Sequence, residues 1–187
     1  MKRLMLPVLI LILFAGQAAA APAVDQERLQ QVKRDTTLFS KILGEVLKQS
    51  FDNPFALSAE PQGTYLEDYG ISISFLLRIN RGSIRGIYGE TRYRSNTPDS
   101  NLSKQEKLKL VKRITSRTLV DYGGTIRGLK DGERISVCAH VEDRSEWDTG
   151  NRMSVIVISG TRKEIVNMSQ ADLSDEDLLR QLNILEY

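Results

Sequence analysis

The chain of 187 residues has one cysteine, Cys138, and one histidine, His140. A solitary thiol excludes an internal disulfide, so stability has to come from packing. A solitary imidazole excludes His-rich metal centres and leaves one candidate for acid–base work near neutral pH. Neither a Gly-x-Ser-x-Gly nucleophile turn nor a phosphate-binding glycine loop occurs in the sequence, which removes those two signatures of hydrolysis and nucleotide binding.

Long apolar runs are also missing, except at the N-terminus. There Lys2 and Arg3 precede an apolar run from Leu4 to Phe14, and Ala18-Ala19-Ala20-Ala21 follows. A basic start, an apolar segment of about ten residues and an Ala-x-Ala exit form the three-part pattern of a cleaved secretory signal. Residues 1–21 are therefore read as a signal peptide, and the mature chain, 22–187, as periplasmic or secreted. The same stretch approaches the roughly 20 residues of a membrane anchor, but Pro7 interrupts it early and Gly16-Gln17 leads into small residues that suit a peptidase. No cysteine follows for lipid attachment, and the expected product has no membrane span after cleavage.

Cleavage takes Lys2 and Arg3 from the 26 basic residues and leaves 24, against 24 acidic ones. Net charge then selects no partner, but its distribution is uneven. Residues 78–117 hold eleven basic and three acidic side chains, whereas residues 142–187 hold ten acidic and five basic ones.

Leu29, Val32, Thr36, Phe39, Leu43 and Val46 recur at intervals of three and four, which predicts an amphipathic helix over 25–49. Asn53-Pro54 and Glu60-Pro61 predict a linker over 50–62, because proline cannot continue a helix. Ile71, Ile73, Phe75, Leu77 and Ile79 alternate with serines and Arg78, the period of a half-buried strand. Gly63–Leu66 is its short partner across Glu67–Gly70. Residues 80–100 are rich in Gly, Arg, Ser and Asn, and read either as a Gly-broken strand near Ile84–Tyr93 or as a long loop.

Ser103 and Glu106 form a capping box. They open a second helix expected over 103–128 and softened at Gly123-Gly124; the alternative ends it at Tyr122 and makes Thr125–Leu129 a strand. Strands follow over Glu133–Glu142 and Arg152–Gly160, joined by an acidic loop with Trp147. Two short helices start at Thr161 and Ser174, ahead of an apolar tail from Asn183 to Tyr187. The fold class is α+β: a mainly antiparallel sheet packed against two long amphipathic helices, with short C-terminal helices. The mature chain is read as a single domain, in which 63–187 supplies the sheet, the second helix and the tail.

Candidate chemistry is sparse. Ser136, Cys138, His140 and Glu142 alternate with Ile135, Val137, Ala139 and Val141, so one strand face presents a hydroxyl, a thiol, an imidazole and a carboxylate about 7 Å apart. Cys138 and His140 are close enough there to share a metal, or for the imidazole to lower the thiol pKa. The preferred reading makes Cys138 a small apolar filler. Asp143, Glu146, Asp148 and Asn151 put oxygen donors in one loop, without the spacing of a calcium loop. No catalytic residue, cofactor or metal ligand is assigned.

The stronger candidate is a binding surface. Arg81, Arg85, Tyr88, Arg92, Tyr93 and Arg94 mix guanidinium groups and rings among glycines, and Lys109, Lys112, Arg113 and Arg117 continue the charge along one face of the second helix. This composition suits anionic partners, which outside the cytoplasm are envelope components rather than nucleic acid. The competing reading is a solvated face balanced by the acidic C-terminal region.

Two stretches together resemble a group of exported bacterial proteins without an assigned activity. One is Gly63-Thr64-Tyr65-Leu66-Glu67-Asp68-Tyr69-Gly70 ahead of the alternating strand; the other is Leu119-Val120-Asp121-Tyr122-Gly123 leading to Leu129-Lys130-Asp131-Gly132-Glu133-Arg134-Ile135-Ser136-Val137. The resemblance implies an exported α+β domain with Tyr65, Tyr69, Asp121 and Tyr122 in structural or partner-contacting roles, and it carries over no catalytic residue. The expected function is a non-enzymatic binding or assembly module of the cell envelope, contacting an anionic component or another envelope protein. The alternative is a small extracytoplasmic hydrolase using carboxylates, with His140 or Cys138 assisting. N-terminal sequencing of the product exported by a bacterial host is expected to find a mature chain starting within a residue or two of Pro22. Recovery of the full-length chain from membranes would instead establish an anchor.

Overall fold

The computed structural model describes residues 26–51, 55–80, 84–86, 89–91, 102–143 and 153–187. The expected signal peptide and the acidic loop with Trp147 lie outside them. Helix α1 (Gln26–Ser50) buries Val32, Phe39, Leu43 and Leu47, and its buried stripe also takes in Asp35, Thr36, Ser40 and Gly44. These small or polar positions let it approach the strand beneath. That strand, β1 (Ala56–Leu66), overturns the expected linker, since residues 56–62 are extended and belong to a strand paired with β2 (Gly70–Asn80). Pro61 is tolerated because β1 is an outer strand of the sheet, where a missing N–H need break no ladder bond. Register shifts between Leu57 and Ala59 and between Ala59 and Gln62 absorb the local irregularity. Gly63 sets the helix-to-strand distance: a β-carbon there would lie 2.3 Å from Cγ2 of Thr36 and 3.1 Å from Oγ of Ser40.

Beyond β2, the short strands β3 (Ile84–Gly86) and β4 (Gly89–Thr91) form an antiparallel pair. Helix α2 (Lys104–Gly123) begins at the predicted capping box, where Oγ of Ser103 accepts the Glu106 N–H and the Glu106 carboxylate accepts the Ser103 N–H. It stops at Gly123, short of the expected 128, and residues 124–133 run through turns instead of a continued helix or the alternative strand. Two consecutive glycines are poor helix formers, and both the N–H and the hydroxyl of Thr125 turn back to the Tyr122 carbonyl. Ile126 and Leu129 are buried from this turn, so their helical spacing recorded burial without helix.

The chain then adds β5 (Arg134–Asp143), β6 (Met153–Thr161), α3 (Arg162–Gln170), α4 (Asp175–Gln181) and β7 (Asn183–Glu186). The strand β7 occupies the stretch that reads in sequence only as an apolar tail. The five-stranded sheet runs β1-β2-β5-β6-β7. Every pairing is antiparallel except β2 with β5, and a parallel pair needs a long crossover, which contains α2. The fold is α+β with a mostly antiparallel sheet. Among the described residues no helix is long and apolar enough to cross a membrane.

One face of the sheet supplies the core: Ile71, Ile73, Phe75, Leu77 and Ile79 from β2, Ile135, Val137, Ala139 and Val141 from β5, and Ile156 and Ile158 from β6 are all buried. The helices lie on this side, because a β-carbon on Gly63 would meet α1 and Ile73, and one on Gly123 of α2 would meet Ile135. The other face carries the alternate residues.

Gly70 joins the hairpin to the parallel pair. Its φ is 121°, and a β-carbon there would lie 2.0 Å from the Arg134 carbonyl oxygen. Gly70→Ala is expected to lower stability by about 2–5 kcal/mol from strain and overpacking together. Gly132→Ala, with nothing within 4 Å, is expected to be close to neutral. Urea unfolding of the two variants checks this, and equal stabilities would contradict it.

Candidate functional site

The period of two places Ser136, Cys138, His140 and Glu142 together on the sheet face opposite the helices. Register sets Ser72, Ser74, Leu76 and Arg78 of β2 beside them on one flank, and Ser159, Val157, Val155 and Met153 of β6 on the other. Each member of the row is engaged. The Tyr69 and Ser136 hydroxyls share a hydrogen bond of 2.7 Å, and Nε of Arg78 donates to Glu142 at 2.9 Å. Sγ of Cys138 lies 3.5 Å from Nε2 of His140. Burial pushes the Cys138 thiol up, the reverse of the activation that a neighbouring imidazole would give a nucleophile. Among the described residues no group of three or more His, Cys, Asp or Glu side chains gathers as metal ligands.

The basic candidates are divided. Arg85 lies on β3, opposite Glu90 of β4 in register, whereas Arg81, Tyr88, Arg92, Tyr93 and Arg94 lie outside the described residues. On α2, Lys109 is exposed. Lys112 pairs with Glu186 of β7, and Arg113 reaches Asp175 at 3.7 Å. Arg117 donates to Oδ1 of Asp175 at 3.0 and 2.6 Å and to the Leu173 carbonyl at 3.0 Å. The acidic C-terminal region thus folds onto the basic helix and balances much of that face.

A buried network gathers residues that sequence reasoning did not join. Nη2 of Arg28 donates to both carboxylate oxygens of Glu133, at 2.7 and 2.8 Å, while its Nε donates to the Gly128 carbonyl at 2.8 Å. The Tyr65 hydroxyl donates to Oε1 at 2.9 Å, and the Lys130 N–H to Oε2 at 2.7 Å. The guanidinium also lies 5.8 Å from the centre of the Tyr65 ring, within the range of a cation–π contact. The available signal was positional: Arg28 stands four residues before Val32, on the buried side of the helix. Of the other residues in the resembling stretches, Tyr69 caps Ser136 and Tyr122 is 40% exposed. Asp121 has its carboxyl pushed up, mainly by burial and against the pull of Arg117.

Burial alone would raise the Glu133 carboxyl, but the bonds from Arg28, Lys130 and Tyr65 outweigh it and hold the group below its usual value. A carboxyl depressed in the folded state stabilises fully above its unfolded pKa of about 4.3 and loses that contribution as pH falls through the folded value. Glu106 and Glu164, held low in capping boxes, add to the same acid limb. Glu133→Gln is expected to cost roughly 2–3 kcal/mol at neutral pH. The gap to the parent should narrow as the solution is taken to about pH 3, and a constant gap in denaturant titrations would contradict this. No family model, curated protein or solved structure matches the chain, so these contacts and the charge distribution carry the functional reading.

Proposed function

We propose that the protein is an exported module of the cell envelope that works by binding, using the Arg-rich segment 81–94 on an anionic lipid surface. The observation that carries this reading is the internal commitment of basic side chains on either side of that segment. Arg78 is tied to Glu142, Lys112 to Glu186, and Arg113 and Arg117 to Asp175. The proposal assigns contact with the partner to the guanidinium groups that the sequence supplies at Arg81, Arg85, Arg92 and Arg94, with Lys109 exposed on α2. Guanidinium groups match phosphate oxygens in two-point contacts, and Gly82, Gly86 and Gly89 place little bulk between the chain and a surface. Binding is favoured over thiol- or carboxylate-based hydrolysis because the Cys138 thiol is pushed up by burial and Glu142 is held by Arg78.

Flotation of the mature chain with vesicles containing phosphatidylglycerol tests the proposal. Binding should weaken as salt rises. It should also fall by roughly 1 kcal/mol for each arginine removed in the combined variant Arg81→Ser, Arg85→Ser, Arg92→Ser and Arg94→Ser. Lys112→Ser with Arg113→Ser should bind nearly as well as the parent, because those cations already face carboxylates. Undiminished binding by the fourfold variant, or indifference to salt, would sink the idea.

A further inference from the structure

We propose that the sheet face opposite the helices is the contact surface between two copies of this chain, stacked face to face about a two-fold axis. The inference is independent of the lipid-binding reading. It rests on where exposed apolar groups gather, on the lack of charge between them and on the area they span.

Among the described residues seven large apolar side chains are exposed, and strand alternation puts five of them on this one side. Met153 stands opposite Glu142, Leu185 opposite Val157, and the Tyr187 backbone bonds to Val155, so all three share the face of the row from Ser136 to Glu142. Leu66 stands opposite Gly70, in step with Thr64 opposite Ser72, and Tyr69 reaches the face through its bond to Ser136. Only Leu38 and Tyr122 lie elsewhere, on α1 and α2. Exposed apolar residues scattered singly are ordinary, but their gathering on one side marks a contact surface.

Charge is missing from the middle of that face. In a chain with 27% charged residues, the cross-strand rows from Ser72–Ser136–Ser159 to Leu76–His140–Val155 contain no Lys, Arg, Asp or Glu. Ionic groups enter only at the two ends, as Arg134 and as the bonded pair of Arg78 with Glu142. Depletion of charge at the centre is the compositional mark of a protein–protein interface. It also selects the occupant, because a two-fold axis brings two identical uncharged centres together, where stacking buries no unpaired ion and opposes no like charges.

The area meets what a pair of copies needs. Five strands at a spacing of about 4.8 Å, and β5 from Arg134 to Glu142 at about 3.3 Å per residue, give a face of about 24 by 27 Å. Allowing for the short β7, a stacked pair buries about 1,200 Å² in total, the lower end of the range for stable complexes. Association should therefore be reversible, with a dissociation constant in the micromolar range.

The test is sedimentation velocity of the mature chain from low to high micromolar concentration, with alkylation of Cys138, the sole cysteine, as a reporter at the centre of the face. Expected are a monomer–dimer transition and a fall in the alkylation rate over the same concentrations. Val157→Lys, at the centre, and Leu185→Lys, on the exposed flank, should each weaken association by about tenfold or more through like charges set across the axis. Leu38→Lys, on the exposed side of α1, should leave it unchanged. If Val157→Lys loses the circular dichroism of the parent, Leu185→Lys alone decides. A chain that stays monomeric at the highest concentration overturns the proposal: a thiol protected at every concentration then means that the chain's own segments cover the face, and a reactive one that the face awaits a different partner. A dimer that survives the lysine substitutions also overturns it, by placing the interface elsewhere.

Discussion

The carboxylate of Glu133 is the constraint on which the rest of the structure depends. It is only 4% exposed, and burying a charge is tolerable only when its oxygens are matched by donors. Those donors come from α1 through Arg28, from β1 through Tyr65 and from the preceding turn through Lys130. The backbone of the same residue is equally committed: its N–H bonds to the Lys130 carbonyl, and its own carbonyl accepts the N–H of Arg162 at the start of α3. One residue thus fixes where α1, β1, α3 and the turn meet, immediately before the central strand β5 begins.

The parallel pairing of β2 with β5 follows from that junction. Its first register pair is Gly70 with Arg134, secured by the Arg134 N–H to the Tyr69 carbonyl at 2.7 Å. Only a residue without a β-carbon fits so close to the neighbouring backbone, and Gly70 supplies it. The Tyr69 hydroxyl then reaches Ser136, one turn of the pleat further along β5. The stretch Tyr65 to Gly70 and the stretch Lys130 to Ser136 therefore form a single joint. The residues of these two stretches are bound to one another, and together they set strand register.

Patterns carried by one element were legible in the sequence; contacts between distant elements were not. The alternation of Ile71 to Ile79 identified β2 because one face is buried and the other is not. The boxes of Ser103 with Glu106 and Thr161 with Glu164 marked their helix starts because capping is a local bond. Pro61 misled because proline signals a break everywhere except at an edge, and edge position is a tertiary property. Ile126 and Leu129 extended α2 on paper because burial in a turn can imitate helical spacing. The strand β7 is only four residues long, too short for its period to stand out. Ser136 to Glu142 could be placed on one face from sequence, but the 3.5 Å thiol–imidazole approach and the capture of Glu142 by Arg78 required coordinates. The same holds for Arg28 and Glu133, which are separated by more than half the chain.

The uneven charge of the chain also gains a physical meaning once folded. Asp175 opens α4 and Glu186 lies in β7, and both face α2 across the helix side of the sheet. Pairs as exposed as Arg113 with Asp175 contribute little individually. Their effect is on position: they hold the C-terminal elements over α2 while Leu178 and Leu182 are buried beneath, and β7 is set in register against β6 with Ile184 opposite Ile158. The helix side consequently uses its ions to close the fold. On the opposite side the described residues mix Ser72, Ser74, Ser136 and Ser159 with Leu76, Val155 and Val157. Among the described residues the helices pack on one side of the sheet, and the row with the thiol and imidazole at its centre lies on the other.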